Sequence, residues 1–327
     1  MRSIRLLLVA MGVWVMPFAG QACDLCGCSG GNQSLGLLPL LQRHAVGVRW
    51  QSQHFSTTPH GSGYASTEHF QSYELWGRWQ VHRRWQVLAS IPYAVNFRQF
   101  ANGETFETAA LGDATLLGQF AIIDPKSQEK RRFKHAFQIG AGLKLPSGNS
   151  NLRDREGQLQ HMNLQAGSGS TDALFAALYA LSVSKWGLAL DASARLNTPG
   201  ANNTQFGNRL NGNLRGFRSF KLGAFQMLPQ AGVAYEWRAK DFDQELLAES
   251  GGYQAYALFG AECFYKQLVL SLHAQTPVFG DLAQGYVSPK PRFSAGVSLL
   301  FGGKKTKSDT VNPFPNFIST NNTTIQQ

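Results

Sequence analysis

The segment from Trp186 to Leu196, W-G-L-A-L-D-A-S-A-R-L, constrains the fold of this chain more than any other. Large apolar residues and alanines alternate along it with small and charged residues. Successive side chains of a β-strand point to opposite faces, so the segment predicts a strand with one apolar face. On a helix, the same order would scatter Asp191 and Arg195 among the leucines. A length of about eleven residues also suits a tilted strand that crosses a bilayer.

Similar segments recur along the chain from His44 to the C-terminal region. In several of them, such as 133–145 and 291–301, one parity is apolar and the other is small or polar. In 111–123 both parities carry leucine, and the alternation is weak. The predicted strands, twelve in number, are 44–55, 70–82, 84–98, 111–123, 133–145, 171–183, 185–196, 208–220, 224–238, 253–265, 267–277 and 291–301.

The connections between these strands alternate in length. Those after predicted strands two, six, eight and ten are tight, whereas those after the odd-numbered strands are longer and polar, with 124–132 as an exception on the short side. Outer-membrane barrels distribute periplasmic turns and external loops in this way, and an even strand count returns both termini to the periplasm. Closure also removes exposed edge strands. We therefore predict an all-β fold, a transmembrane antiparallel outer-membrane β-barrel of about 12 strands.

The composition agrees with this fold and excludes other classes. The chain of 327 residues is rich in Gly (34) and Phe (22), as expected when only every second residue faces lipid. After the first twenty-odd residues no apolar run is long enough for a spanning helix, which excludes a polytopic helical membrane protein. The net charge is +10, but Lys and Arg are spread along the chain, which favours solvated loops over nucleic-acid binding.

The first 22 residues have the features of an export signal. Arg2 and Arg5 precede an apolar run, and Gly20–Ala22 supplies small residues at the cleavage positions. We expect cleavage after Ala22 and the following organisation: a signal peptide at 1–22, a Cys-rich periplasmic segment at 23–43, the barrel at 44–301 and a flexible polar tail at 302–327.

Three cysteines, Cys23, Cys26 and Cys28, stand at the start of the expected mature chain. A C-x-x-C-x-C cluster can gather soft thiolate ligands for Cu(I) or zinc. A local disulfide with one odd thiol and a lipid on Cys23 are the alternatives for an exported protein. The fourth cysteine, Cys263, lies in an aromatic strand and is expected to be buried as a small apolar residue.

Ionisable residues fall on the parity opposite to the apolar face of the predicted strands. Such residues are tolerated at membrane depth only when they are paired or wetted, so a polar lumen is expected. They could line a conducting path, or they could pair across the interior and plug it, because loops and side chains can fill a barrel of this size. The residues expected to face the lumen are Arg49, Glu74, Arg78, Lys144, Asp191, Arg195, Arg209, Arg215, Glu262 and His273.

Several motifs lie in the order and spacing of a known family. They are I-P-Y at 91–93, L-G-D-A-T-L-L-G at 111–118, G-A-G-L-K-L-P-S-G at 140–148 and A-G-S-G-S-T-D at 166–172. The stretch 44–301 resembles the bacterial outer-membrane family named after the meta-cleavage pathway of phenol degradation, often labelled "transporter". The resemblance implies a barrel in the company of channels for hydrophobic compounds and fatty acids, without established catalytic residues. Locally, Gly112–Asp113 is expected to begin a strand, with Asp113 bonding to nearby backbone.

The leading functional hypothesis is a non-enzymatic outer-membrane channel or transporter for small compounds, with hydrophobic or aromatic solutes as candidates. Its partners are then outer-membrane lipid and the solute, with no nucleic acid. One alternative is a barrel that anchors a periplasmic, Cys-rich, metal-handling segment. Another is an outer-membrane hydrolase that uses Ser271 and His273, which share a strand face but have no evident orienting acid.

Overall fold

The computed structural model describes residues 43–58, 64–124, 132–154, 156–200 and 203–302. Within these residues, twelve long strands follow one another around a closed antiparallel barrel, as the alternation predicts. Two of them are interrupted once. The strands are β1 His44–Thr57, β2 Ser66–His82, β3 Trp85–Phe100, β4 Thr105–Leu111 continued by Thr115–Ile123, β5 Phe133–Lys144, β6 Asp172–Val183, β7 Trp186–Leu196, β8 Arg209–Arg218 continued by Phe220–Leu222, β9 Phe225–Arg238, β10 Gly252–Tyr265, β11 Leu268–Leu282 and β12 Arg292–Phe301.

The wall closes because β12 pairs with both β11 and β1. Its register against β1 runs from His44 opposite Phe301 to Ser52 opposite Phe293. The remaining wall pairings join strands that are consecutive along the chain, and all of these pairings are antiparallel. A strand paired on both sides presents no row of unsatisfied backbone N–H and C=O groups, which hydrocarbon could not accommodate. The predicted β-barrel is therefore confirmed.

The two faces of the wall have opposite character, as β7 illustrates. Trp186, Leu188 and Leu190 are exposed on the outside, whereas Ala189 on the other parity is completely buried. The outward positions of the other strands likewise carry large exposed apolar residues, such as Val48 on β1. A continuous apolar surface of this kind needs a cover, and a bilayer supplies it for a barrel.

Exposed aromatic side chains form two bands around the outer surface. We call the end of the barrel with the short connections the tight-turn end and the other the long-loop end. The tight-turn band contains Trp79, Trp85, Phe133, Trp186, Phe220, Phe225 and Phe301. The long-loop band contains Tyr73, Tyr93, Tyr235, Trp237, Tyr253 and Phe279. Aromatic girdles of this kind flank the apolar zone of outer-membrane barrels at the two membrane interfaces.

Several strands are longer than the sequence pattern predicts. β2 begins at Ser66 and β3 continues to Phe100, and these two residues pair with each other. The long loop predicted after the third strand is therefore wrong: only residues 101–104 join β3 to β4. Asn102 Oδ1 accepts a hydrogen bond from the Glu104 backbone N–H at 3.0 Å within this turn. Ser66–His69 place polar side chains on both faces of β2, so the alternation along β2 begins only after the strand does.

Further short elements lie at the long-loop end. The strand Val287–Pro289 pairs with the last residues of β1, and Thr204–Gln205, Phe242–Asp243 and Glu245–Leu246 form a small separate sheet. In the ranges that the structure describes, the remaining elements are two 3-10 turns, Met162–Leu164 and Ala283–Gly285. Among the described residues, no helix is long and apolar enough to cross a membrane.

β4 is interrupted at residues 112–114. The part of β4 before this interruption has a partner strand on one side only, among the described strands. The segment Thr115–Ile123 pairs with β3 and β5, whereas Thr105–Leu111 pairs with β3 alone among the described strands. β5 ends at Lys144, opposite Thr115, so the chain that follows it completes the wall. There the Asn149 backbone N–H donates to the Leu111 carbonyl at 3.0 Å. Asp113 therefore lies within a strand break and does not begin the strand.

The inside–outside assignment of β7 predicts unequal effects of two arginine substitutions. Leu190 is 49% exposed on the outer face, and Leu190→Arg would place a charge against lipid. This costs about 2–4 kcal/mol near the bilayer midplane. Ser193→Arg on the inner parity stands next to the Asp191 carboxylate and should cost less. Urea unfolding in lipid vesicles measures both variants, and equal destabilisation would contradict the assignment.

Candidate functional site

The inward side chains of the barrel form apolar clusters and charged groups. At the tight-turn end the inward side chains form an apolar layer, which we call the lower apolar layer. Its members are Ala45, Trp76, Ala136, Leu178, Ala180, Ala189, Phe217, Leu228, Phe264, Val269 and Leu300. Gly187 makes room for it, because a Cβ at this position would lie 2.1 Å from the Phe217 ring. The missing side chain at Gly187 thus lets the Phe217 ring lie over the neighbouring strand β7.

Charged residues lie among these apolar side chains and above them: in the strand registers Arg78 is opposite Ala45, Arg215 is opposite Ala189 and Glu262 is opposite Leu228. Arg49 Nε donates to Glu74 Oε2 at 2.9 Å, and both side chains are buried. Arg215 forms an ion pair with Asp191, which also accepts a hydrogen bond from Asn213 Nδ2 at 2.6 Å. Buried charges are tolerated when they are paired and hydrogen-bonded.

Glu262 connects two parts of this charged layer. Its side chain is completely buried, and it interacts electrostatically with both Arg78 and Arg215. Arg78 Nε also donates to the Arg43 carbonyl at 3.0 Å. The three arginines of the layer, at 49, 78 and 215, are matched by three carboxylates, at 74, 191 and 262. We call these six residues the charge-balanced layer.

Of the other residues predicted for the lumen, His273 interacts electrostatically with Arg49 and Arg215 of this layer, and the rest lie farther towards the long-loop end. Lys144 belongs to a cluster near the long-loop end, and His273 lies with its Nε2 3.0 Å from Gln230 Nε2. Arg209 is buried, with its Cζ 5.7 Å from the Phe206 ring centroid. Arg195 is half-buried and lies opposite Arg209 in the register of β7 and β8.

The sequence reasoning missed a second buried cationic group in the upper half of the lumen. Arg292 Nη2 donates to Glu236 Oε1 at 2.5 Å, and its Cζ lies 3.9 Å from the centroid of the Tyr256 ring. Arg292 Nε also donates to Gln275 Oε1. The parity of β12 could have indicated Arg292, because it alternates with the outward Phe293.

A small cavity opens beside Arg292. Its inward-facing lining consists of Gln51, Gln53, Leu258, His273, Gln275, Arg292 and Ser294. The cavity volume is about 40 Å³, whereas ligand pockets typically measure roughly 300–1,000 Å³. A volume of this size has room for only a few water molecules, so a larger solute must displace neighbouring groups to enter.

The long loop between β5 and β6 folds into the barrel at its long-loop end. Leu164 is only 2% exposed and packs in an apolar cluster inside the barrel. Its carbonyl accepts hydrogen bonds from Asn96 Nδ2 at 3.2 Å and Thr108 Oγ1 at 2.6 Å. We call this cluster the upper apolar layer; its other members are Phe55, Phe70, Leu282, Ala283 and Val287, with Phe106 and Tyr286 against it.

Asp113, in the break of β4, holds both ends of this loop. Its carboxylate accepts hydrogen bonds from the Gly148 and Ser168 backbone N–H groups, each at 2.9 Å, and from Ser168 Oγ at 2.8 Å. Lys144 Nζ donates to Asp113 Oδ2 at 2.6 Å and lies 2.9 Å from Asp172 Oδ2. The expectation that Asp113 bonds to nearby backbone is wrong, because its partners lie far away in sequence. We call Asp113, Lys144, Ser168 and Asp172 the loop anchor.

Ser271 and His273, the pair considered for a hydrolase, contact different partners. Ser271 Oγ donates to the Gly296 carbonyl at 3.4 Å, and His273 faces Gln230. A nucleophile and its base need to lie within hydrogen-bonding reach of each other. The geometry of these two side chains does not provide that arrangement.

The predicted metal ligands Cys23, Cys26 and Cys28 lie outside the described residues, as do the predicted signal peptide and most of the predicted tail. Within the described part of the chain, no group of three or more His, Cys, Asp or Glu side chains is placed to hold a metal ion. Cys263 is a free thiol of intermediate exposure on the outward parity of β10. The expectation of a buried Cys263 is therefore wrong.

A closed antiparallel wall, an apolar outer surface between two aromatic bands and a charged interior together define an outer-membrane-type β-barrel. No protein-family model and no curated protein sequence matches the chain. Among solved structures, the chain is similar to the COG4313 outer membrane channel from Pseudomonas putida F1, with 15% identity and a TM-score of 0.56 over 79% of this chain and 96% of that one. At this identity the similarity shows the fold, which is the barrel that the family resemblance predicts.

Two further similarities are weaker. The β domain of the Bordetella autotransporter BrkA is 12% identical, with a TM-score of 0.49 over 79% of this chain and 100% of that domain. The monoaromatic hydrocarbon channel CymD is 11% identical, with a TM-score of 0.38 over 84% of this chain and 94% of that one. These scores carry no conclusion about function.

The loop anchor predicts that Asp113→Asn releases the loop. An asparagine offers one acceptor oxygen where the carboxylate offers two, and Lys144 loses one of its two carboxylates. Hydrogen bonds to charged groups contribute about 2 kcal/mol, so tryptic cleavage after Arg153 should accelerate at least about tenfold. Glu107→Gln, an exposed site on the same strand, is the matched control. Equal cleavage rates in the two variants would exclude this role of Asp113.

The charge-balanced layer predicts a large effect of Glu262→Gln. This change leaves Arg78 and Arg215 buried with less compensation, which costs roughly 3–5 kcal/mol when a buried pair is broken. The double variant Arg78→Gln/Glu262→Gln should recover part of that loss. Chemical unfolding in vesicles gives the coupling energy of the cycle. Additive effects of the two changes would mean that these groups do not interact.

Proposed function

We propose that this protein is a channel of the bacterial outer membrane that admits small compounds through the barrel lumen. The observation that carries this proposal is the polar, charge-balanced layer inside a closed wall whose outer surface is apolar. A wall of this kind is stable in lipid, and a polar interior at membrane depth is compatible with water and solute. The fold that the chain shares with the Pseudomonas putida channel supports the same function.

The solutes that fit this interior best are small hydrophobic or aromatic compounds. The upper apolar layer presents Phe55, Phe70 and Phe106 at the long-loop end, and the lower layer presents Trp76, Phe217 and Phe264 at the other. Aromatic rings interact favourably with one another in stacked and edge-to-face arrangements. A solute with an apolar body therefore meets matching aromatic surfaces towards both ends of the lumen.

Passage requires a movement of the loop between β5 and β6. Leu164 occupies the upper apolar layer. The cavity beside Arg292 is too small to hold an aromatic solute. An apolar constriction inside a pore also opposes conduction by excluding water. The loop therefore acts as the gate, and the charged layer below it is the polar part of the path.

Planar-bilayer recordings test the channel and its gate together. Leu164→Ser removes the apolar anchor of the loop and should raise the open fraction, with a larger response to a monoaromatic solute. Leu159→Ser lies in the same loop at an exposed position and is the matched control. A purified, folded wild-type protein that conducts no ions in either the presence or the absence of solute would refute the channel. Equal conductance of the two variants would refute the gate.

The same recordings also distinguish a channel from a barrel whose charged interior serves stability alone. In the second case the wild-type barrel would be folded, as shown by heat-modifiable migration in unboiled gels, and silent in bilayers. Release of the loop by Leu164→Ser would leave it silent, because the charge-balanced layer itself would block the lumen.

A further inference from the structure

Three outward-facing side chains form a basic and aromatic cluster at the tight-turn end of β7 and β8. Arg218 lies directly opposite Trp186 in the register of the two strands, and Phe220 follows at the next outward position of β8. The Arg218 Cζ is 4.7 Å from the ring centroid of Trp186 and 4.7 Å from that of Phe220. We call this group the Arg218 slot.

Unlike the buried arginines, the Arg218 guanidinium has no acidic partner in the part of the chain that the structure describes. Arg49, Arg215 and Arg292 each form an ion pair with a carboxylate inside the barrel. Among the described residues, Arg218 has two ring contacts and neither an ion pair nor a side-chain hydrogen bond. The rings restrict the planar group without using its N–H donors, so the donors remain free for an acceptor from outside the chain.

The surroundings of the slot define the kind of acceptor. Trp186 and Phe220 belong to the tight-turn aromatic band, which corresponds to the level of lipid headgroups. Lys185 and Lys221 are exposed beside the slot and add two positive charges. Leu222, also exposed, extends the surface with an apolar side chain. The slot therefore offers positive charge, fixed donors and an apolar border at one place on the rim.

We propose that the Arg218 slot binds the phosphate group of a phospholipid in the leaflet next to the tight turns. A guanidinium matches the geometry of phosphate oxygens with two parallel N–H···O bonds, and each basic residue near an anionic surface adds to the attraction. The Trp186 and Leu222 side chains contact the apolar part of the same lipid. This proposal rests on the proposed function only in one respect: the barrel must lie in a bilayer whose headgroups are level with the tight-turn aromatic band.

Native mass spectrometry of the purified, detergent-solubilised protein tests the site with phosphatidylglycerol as the probe. Arg218→Gln should weaken binding of the most tightly held lipid by about fivefold, the effect of one basic residue near the surface. Trp186→Leu keeps the charge but removes one ring, and it should weaken binding less. Arg84→Gln, an exposed arginine on the same rim, removes the same charge outside the slot and is the matched control.

Several outcomes would overturn the site. Equal lipid retention by Arg218→Gln and Arg84→Gln would mean that the rim attracts lipid through general charge. Displacement of the bound lipid by millimolar inorganic phosphate would assign the slot to free phosphate. Should Arg218→Gln fail to fold, Arg218→Lys keeps the charge without the planar fork, and full retention by this variant would exclude recognition by the fork.

Bilayer recordings of the same preparations separate this inference from the channel. A loss of lipid retention with unchanged conductance supports the slot within a working channel. Unchanged retention with normal conductance overturns the slot alone. Loss of retention in a protein that never conducts leaves the lipid site standing and refutes the channel.

Discussion

The structure depends first on the pairing of backbone hydrogen-bonding groups around a closed wall. A membrane interior provides no water to satisfy unpaired N–H and C=O groups, so a strand in the wall needs a partner on each side. The pairing of β12 with β1, from His44 and Phe301 onwards, provides the last of these partners. Once the wall is closed, the period of two along each strand sends one set of side chains to the outside and the other into the lumen.

The interior is organised by the cost of burying charge. Arginines and carboxylates are placed where each can find an opposite charge, and Glu262 serves two arginines from its position on β10. Burial away from bulk water strengthens these ion pairs and increases the cost of breaking them. The lumen thus combines charged groups with apolar clusters towards both ends, and this combination underlies the proposed selection of small hydrophobic or aromatic solutes.

The break in β4 is where the wall and the gate are joined. The part of β4 after the break pairs with β5, which ends at Lys144. Beyond Lys144 the loop itself lies against the first part of β4, where Asn149 donates a hydrogen bond to the Leu111 carbonyl. Asp113 in the break accepts hydrogen bonds from Gly148 and Ser168, so one carboxylate fixes the exit and the return of the loop. The break in β4 thus provides the attachment point for the loop between β5 and β6, which places Leu164 inside the lumen.

The sequence by itself determined the fold class, the strand count and the separation of the faces. These follow from local alternation, as in Trp186–Leu196, and from the lengths of the connections, both of which can be read without knowing any contact. It also identified Arg49, Glu74, Asp191 and Arg215 as an inward-parity set, although not which charge pairs with which.

Only the tertiary structure decided the contacts between distant parts of the chain. The start of β2, Ser66–His69, is polar on both faces, so its extent depends on the partner strand rather than on a local pattern. From the sequence, Asp113 is interpreted as a turn residue, whereas in the structure it accepts hydrogen bonds from the returning loop. Nothing in the sequence distinguishes Leu164 from other loop leucines, but in the structure it packs in a cluster with Phe55 and Phe70. These residues contact partners that are distant in sequence and that come together only when the barrel closes. A local periodicity in the sequence carries no information about such contacts.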